Sequence, residues 1–237
     1  MTEWKEAFWL AKFELKHSLK QLPLLALGFL LVFLLITSIS PHYFEQATMG
    51  LDFFFTLTFS GFLSQLARPK DFQLQKFRSI RYAAPFLTAL NKLAMKQEVI
   101  VKYRFITYFV LLLLSNGLLL ILLYPTFQSF MTLHAYIAFA FIWFCFGIYI
   151  GCVTPAFEVG SNLGWNIFYG CFIGFGLFLL YLFVFYKWYK NGLITWTIDM
   201  ASNYPFISMI ISLIFSIIGW NFWMKIMRNR MRKTDYL

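Results

Sequence analysis

Thr56, Ser60 and Ser64 recur every four residues inside one apolar stretch, so on a helix their hydroxyls share a face. Asn116 falls near the middle of a second such stretch, and Asn162 and Asn166 align on a third, in register with Gly170 and Gly174. Polar side chains are costly in apolar surroundings and are kept there for a purpose. Two purposes are open from the sequence: hydrogen bonding and close packing between helices, or a polar lining for a path along which a molecule crosses. Reactive chemistry is another matter. His17, His42 and His134 stand far apart, and neither an H-E-x-x-H pair nor a G-x-S-G context around Ser60-Gly61 occurs. The phosphate-cradling G-x-x-x-x-G-K-[ST] loop is absent too. Cys145, Cys152 and Cys171 lie in apolar runs and read as small packing residues rather than a disulfide or metal set. The expectation is a chain that is not an enzyme and holds no cofactor or metal. If it uses ATP, a partner must bind the nucleotide.

The elements that carry these residues follow from hydropathy. Of 237 residues, 60% are apolar and 13% charged, too little polar surface for a domain solvated by water. Apolar runs at about 22–39, 51–67, 105–124, 134–152, 163–186 and 205–225 each approach the ~20 residues that cross a hydrocarbon core. Before them, 3–20 reads as an amphipathic helix lying in the interface. Trp4, Ala7, Phe8, Ala11, Leu15 and Leu19 share one face, and Lys5, Lys12, Lys16 and Lys20 cluster on another. Trp9, Leu10 and Phe13 break that pattern, so the apolar face is broad or meets a second partner. The expected fold is an all-α integral membrane domain of six transmembrane helices preceded by this interfacial helix.

Orientation comes from the lysines and arginines. The N-terminal segment, the 68–104 connector and the tail from Lys225 hold eighteen of the twenty, all on one side if six spans alternate. Lys187 and Lys190 fall opposite. Both termini are therefore expected in the cytoplasm. The net charge of +10 lies beside apolar spans, where it meets anionic headgroups, so nucleic acid is not an expected partner and membrane lipid is. A long charged helix precedes the first apolar run, and Ser38 and Ser40 are followed by Pro41, so no cleavable leader is expected.

Two connectors stand out. The basic, weakly apolar 68–104 segment reads as one or two short projecting helices, with Phe77 and Ile80 before Pro85 and Leu87, Leu90 and Leu93 after it. The 187–203 segment, with Trp188, Tyr189 and Trp196 around Asn191-Gly192, reads as a short outer re-entrant or interfacial hairpin. The small-xxx-small pairs Gly147/Gly151, Gly160/Gly164 and Gly170/Gly174 point to tight helix contact around the fourth and fifth spans. Asp52 and Glu158 are expected at span ends, in the interface. The 31 phenylalanines read as packing and lipid-facing surface.

Amphipathic N-terminal helix, six spans, a long connector between spans two and three, an outer hairpin before span six and both ends inside: this arrangement resembles the membrane subunit of an ABC-2-type transporter over essentially the whole chain. The stretch Leu93-Ala94-Met95-Lys96-Gln97-Glu98-Val99-Ile100-Val101-Lys102-Tyr103 is similar to that family's Leu-Pro-x, basic, Glu-Ile-Val and Lys pattern leading into span three, with Ala94 where the family has proline. The resemblance implies a permease of an ATP-driven exporter in a bacterial plasma membrane, dimeric with an identical or different second permease. ATP and Mg would sit on a separate cytoplasmic ATPase subunit. It implies further that the second-to-third connector and the turn between spans four and five contact that ATPase, through Phe77, Ile80, Arg81, Leu87, Leu90, Leu93, Lys96 and Glu158. The basic residues of the connector have a plainer reading as anchors to anionic lipid. Aromatic, nearly uncharged spans fit an amphipathic or hydrophobic cargo such as a peptide, an antibiotic or a lipid-linked molecule. A different class of function, a non-transporting membrane immunity or sensor protein, is the alternative.

Overall fold

In a computed structural model, the structure describes residues 2–46, 48–78, 81–93, 95–159, 161–162, 176, 179–181, 183, 186–187 and 191–233. Four helical runs are long and apolar enough to cross a membrane: Glu3–Glu45, Gln97–Phe127, Leu133–Phe157 and Pro205–Lys233. This fits a multi-pass membrane protein. The expected fifth span, 163–186, lies almost wholly outside the described residues.

The first run is α1 (Glu3–Ser18) and α2 (Leu22–Glu45), separated by a 3-10 turn at Leu19–Gln21. Pro23 starts α2, where a missing N–H costs little. Pro41, deeper in α2, cannot donate to the Thr37 carbonyl four residues back. The Ser40 hydroxyl does so instead at 3.2 Å, and Thr37 and Ser38 return their own hydroxyls to backbone carbonyls. A helix in hydrocarbon must satisfy its backbone internally in this way.

The chain returns along α3 (Met49–Leu57) and α4 (Leu63–Leu66), joined by a π-helical turn at Thr58–Phe62. The expected second span is thus a broken one, and the break is at Gly61, with φ 88°. Only glycine enters that region without strain, and a Cβ there would also meet the Tyr108 hydroxyl at 2.4 Å.

The connector differs from the short helices expected of it. After a 3-10 turn (Lys70–Phe72), β1 (Gln75–Arg78) and β2 (Arg81–Ala83) form an antiparallel hairpin, and only α5 (Pro85–Lys92) is α-helical. A third strand, β3 (Ser161–Asn162), pairs with β2, setting Arg81 opposite Asn162 and Tyr82 opposite Ser161. Pairing with distant sequence thus overrides the local pattern. Nor does α5 stand away from the bundle, since Leu87 and Leu90 are buried in the core.

α6 (Gln97–Phe127), about 46 Å long at the α-helical rise, is the central element. α7 (Leu133–Gly151) follows, then α8 (Val153–Phe157), and, across the undescribed stretch, α9 (Leu193–Asn203) and α10 (Pro205–Lys233). The expected outer hairpin corresponds in part to α9; Trp188 and Tyr189 lie outside the described residues. Two cores fill the bundle. One gathers Ala7, Leu10, Val99, Ile100, Tyr103, Met227 and Met231 at the end where α1 begins and α10 finishes, here called the terminal end. The other, toward the far end, is aromatic, with Phe55, Phe59, Phe127, Phe139 and Trp143. By contrast Leu24, Leu27, Leu31 and Leu34 of α2, and Phe206, Ile210, Ile214 and Ile218 of α10, face outward. Apolar surface on this scale needs a non-aqueous surrounding.

Candidate functional site

α1 packs on α6 through a narrow face of Ala7, Leu10, Ala11 and Ser18, and in the middle of that face stands Glu14, wholly buried. Of the face expected to be apolar, Ala7 and Ala11 are buried here, while Trp4, Phe8 and Leu19 are exposed. Two alanines let α1 approach closely enough for the Glu14 carboxylate to reach across the interface. Of the two readings of the broken pattern, a broad face or a second partner, Phe13 fits the second. It stacks on Phe86 at 5.8 Å between ring centres and lies 6.4 Å from Phe72, both in the connector.

Glu14 is one corner of a closed ring of four charges. Its carboxylate accepts from Arg68 Nε at 2.8 Å, from Arg104 Nη1 at 2.8 and 3.1 Å, and from the Tyr103 hydroxyl. The same two guanidiniums bridge to Glu158, Arg68 through Nη1 and Arg104 through Nη2. Arg68 also donates to Gln65 Oε1 at 3.1 Å and to the Phe72 carbonyl. The ring is formally neutral, and each member is at most 4% exposed. Planar forks suit it, since each guanidinium addresses two carboxylates at once, which a lysine cannot do in that geometry. Burial by itself pushes the Glu14 carboxyl up. The Arg104 and Arg68 guanidiniums, with the Tyr103 hydroxyl, outweigh it and hold the group below its ordinary value.

Each corner comes from a different segment: Glu14 from α1, Arg68 from the turn after α4, Arg104 from α6 and Glu158 from the turn after α8. The backbone adds a fifth tie, as the Ala84 N–H, just before α5, donates to the Glu158 carbonyl at 3.3 Å. Further out, Glu3 pairs with Lys102 at 2.7 Å and Glu98 with Arg228 at 2.9 Å, joining the start of α6 to α1 and α10. The cavity beside the ring is only ≈10 Å³, about one water's worth. The ring is a fastening between the segments that supply it.

At the far end a single carboxylate does related work, and among the described residues no cation pairs with it. Asp52, wholly buried, accepts from the Tyr43 hydroxyl at 2.7 Å, the Tyr186 hydroxyl at 2.5 Å and the backbone N–H groups of Leu193 at 2.6 Å and Ile194 at 3.0 Å. It thereby caps α9 from another helix, against the positive end of that helix's dipole. Gly192 makes this possible, because a Cβ there would sit 1.7 Å from the Tyr43 oxygen. Asp52 and Glu158, expected at span ends, are both buried within the protein.

The sequence-selected residues do not converge on one place. Leu87 and Leu90 are buried toward the bundle, Leu93 is 73% exposed and Lys96 is exposed just before α6. Phe77 lies in β1 and Arg81 in β2; Ile80 is outside the described residues. Glu158 points inward. Of the polar span residues, Ser60 and Ser64 return their hydroxyls to Leu57 and Gly61 carbonyls at 2.6 Å. Asn116 donates to the Phe59 carbonyl at 2.9 Å, stapling α6 to the π-turn. Thr56 bonds the Asp52 carbonyl at 2.7 Å and borders a ≈300 Å³ pocket with Trp143, Trp196 and Thr197. Asn162 is in β3, and Asn166 lies outside the described residues. Among the described side chains of this set, Ser60, Ser64 and Asn116 bond backbone carbonyls and Thr56 lines a space. The glycine pair on α7 belongs to the same contact: a Cβ on Gly147 would lie 2.7 Å from the Phe59 oxygen, and one on Gly151 would lie 2.4 Å from the Ser60 oxygen.

Glu14, Arg68 and Arg104 escaped the reading of the sequence as a site. The signal available was an acid at helical spacing among alanines on α1. Among the described residues no three His, Cys, Asp or Glu side chains gather as a metal set, and Cys145 and Cys152 are free and buried. Comparison of the chain with protein-family models, with curated proteins and with solved structures gave no match.

Proposed function

We propose that this chain is the membrane permease subunit of an ATP-driven exporter of the ABC-2 type. It crosses the cell membrane six times with both termini in the cytoplasm, and a separate ABC ATPase hydrolyses the nucleotide. The chain pairs with a second, identical or different, permease, and its cargo is amphipathic or hydrophobic. The observation that carries this reading is the charge ring. It fastens the connector, through Arg68, and the turn at Glu158 to α1 and α6. Those two segments are the ones the resemblance assigns to ATPase contact. A push delivered there by closure of the ATPase moves α1 and α6 as one piece, because a buried ring of opposed charges resists opening. Glu158 and Leu193 stand at opposite ends of the bundle, which also supports the six-span reading.

The test is affinity purification of the tagged chain from its native membrane in mild detergent, followed by mass spectrometry and an ATP-hydrolysis assay. A stoichiometric ABC ATPase is expected, lost when residues 77–96 are replaced by a Gly/Ser linker while the chain stays folded. A stable chain that brings down no ATPase refutes the transporter reading and favours a non-transporting immunity or sensor role.

A further inference from the structure

Beside α1, on the face it turns away from the charge ring, two hollows of ≈580 and ≈370 Å³ run into one another and share Phe8, Ile106 and Val110 as their common wall. The larger reaches in to Phe109 and Trp220; its one polar side chain, Ser216, already donates to the Leu213 carbonyl at 2.8 Å. Water would find no partner there, so the groove suits hydrocarbon. The smaller hollow opens past Leu15 between Lys12 and Lys16.

These two lysines are one helical turn apart, ~6 Å between their Cβ atoms. Both are exposed, and among the described residues neither has a carboxylate within ion-pair distance. The cations on the ring side of α1 are instead matched: Arg68, Lys102 and Arg104 all pair with glutamates. An apolar groove that ends at two unmatched cations is complementary to a molecule with a hydrocarbon tail and an anionic head.

We propose that this groove is a site for one anionic phospholipid, its acyl chain along Phe8, Ile106 and Val110 and its phosphate between Lys12 and Lys16. The combined volume is within the ~300–1,000 Å³ of small-molecule sites. The bound lipid fills the wedge between α1 and the α6/α10 surface and so holds α1 in place. The site does not depend on the transport reading.

The test uses the full chain reconstituted in phosphatidylcholine vesicles with increasing fractions of either dibrominated phosphatidylglycerol or dibrominated phosphatidylcholine. The readout is the tryptophan quenching that disappears in Trp220→Phe. Phosphatidylglycerol is expected to reach half-maximal quenching at a lower fraction, by about fivefold for each lysine. Lys12→Gln/Lys16→Gln, which alters only exposed side chains, should bring the two lipids level, while excess soluble glycerol phosphate leaves the quenching unchanged. Equal quenching by both lipids in the unaltered chain overturns the site. So does a preference that survives the double substitution, or displacement by the soluble phosphate.

Discussion

The two ends of the bundle solve the problem of a buried carboxylate in different ways. At the terminal end Glu14 and Glu158 are balanced by Arg68 and Arg104 in a neutral ring. At the far end two phenols and two backbone N–H groups hold Asp52 at the start of α9, and among the described residues no guanidinium joins them. The ring joins four segments through long, forked side chains, and removing one member strands the others in the interior. The far-end cap joins neutral donors to one acid, so each lost donor leaves only a share of the carboxylate unserved. An end built from balanced charges can hold separate segments as a unit; an end built from neutral hydrogen bonds fixes one helix in one place.

The difference can be broken most severely at the ring. Arg104→Met leaves two buried carboxylates facing one guanidinium and should cost about 3–5 kcal/mol, read as a large fall in thermal unfolding temperature in detergent. The far end should give less. Asp52→Asn replaces an oxygen that accepts hydrogen bonds with an NH₂ that faces donors, a loss of about 1–3 kcal/mol. Gly192→Ala should approach that value by collision with Tyr43, at about 1–3 kcal/mol, and a Tyr43→Phe background should relieve only part of it, since the new Cβ would still stand 2.6 Å from the ring Cζ. At the small end, Glu98→Gln opens a partly exposed pair with Arg228 and should change stability by no more than about 1 kcal/mol.

Acid reaches the ring through Glu14. The Glu14 carboxyl is held below its ordinary value of 4.5, so its contribution is present above that pH and is lost as pH falls through the folded-state value. The unfolding temperature should therefore drop below about pH 4.5. A Glu14→Gln chain, already weakened at neutral pH, should show a shallower drop.

How much of this was legible depends on the range of the interactions. The long apolar helices α2, α6, α7 and α10 could be read from hydropathy, because a bilayer demands continuous apolar length. Gly61 could not be read as a break, since an isolated glycine in an apolar run is tolerated within a helix. The φ of 88° follows from Tyr108, Asn116 and the α7 glycines packing around it. The β1–β2 hairpin rests on β3, about 80 positions onward, and leaves no local pattern. The ring was hidden in plain counts. Arg68 and Arg104 entered as orientation markers on the basic connector, and their glutamate partners lie 54 and 90 positions away. Asp52 carried no sign that its partners were phenols and a helix start 141 positions on.

The most direct measurement is a double-mutant cycle on Arg68 and Glu158 of the full chain, with Arg68→Met, Glu158→Gln and the pair compared by unfolding in detergent. The fastening of the connector to the Glu158 turn requires an interaction free energy of about 1–3 kcal/mol, so that the second substitution restores part of what the first removes. Costs that add to within about 0.5 kcal/mol would mean that the two side chains do not act on each other. The ring would then not be the element that makes these segments move together.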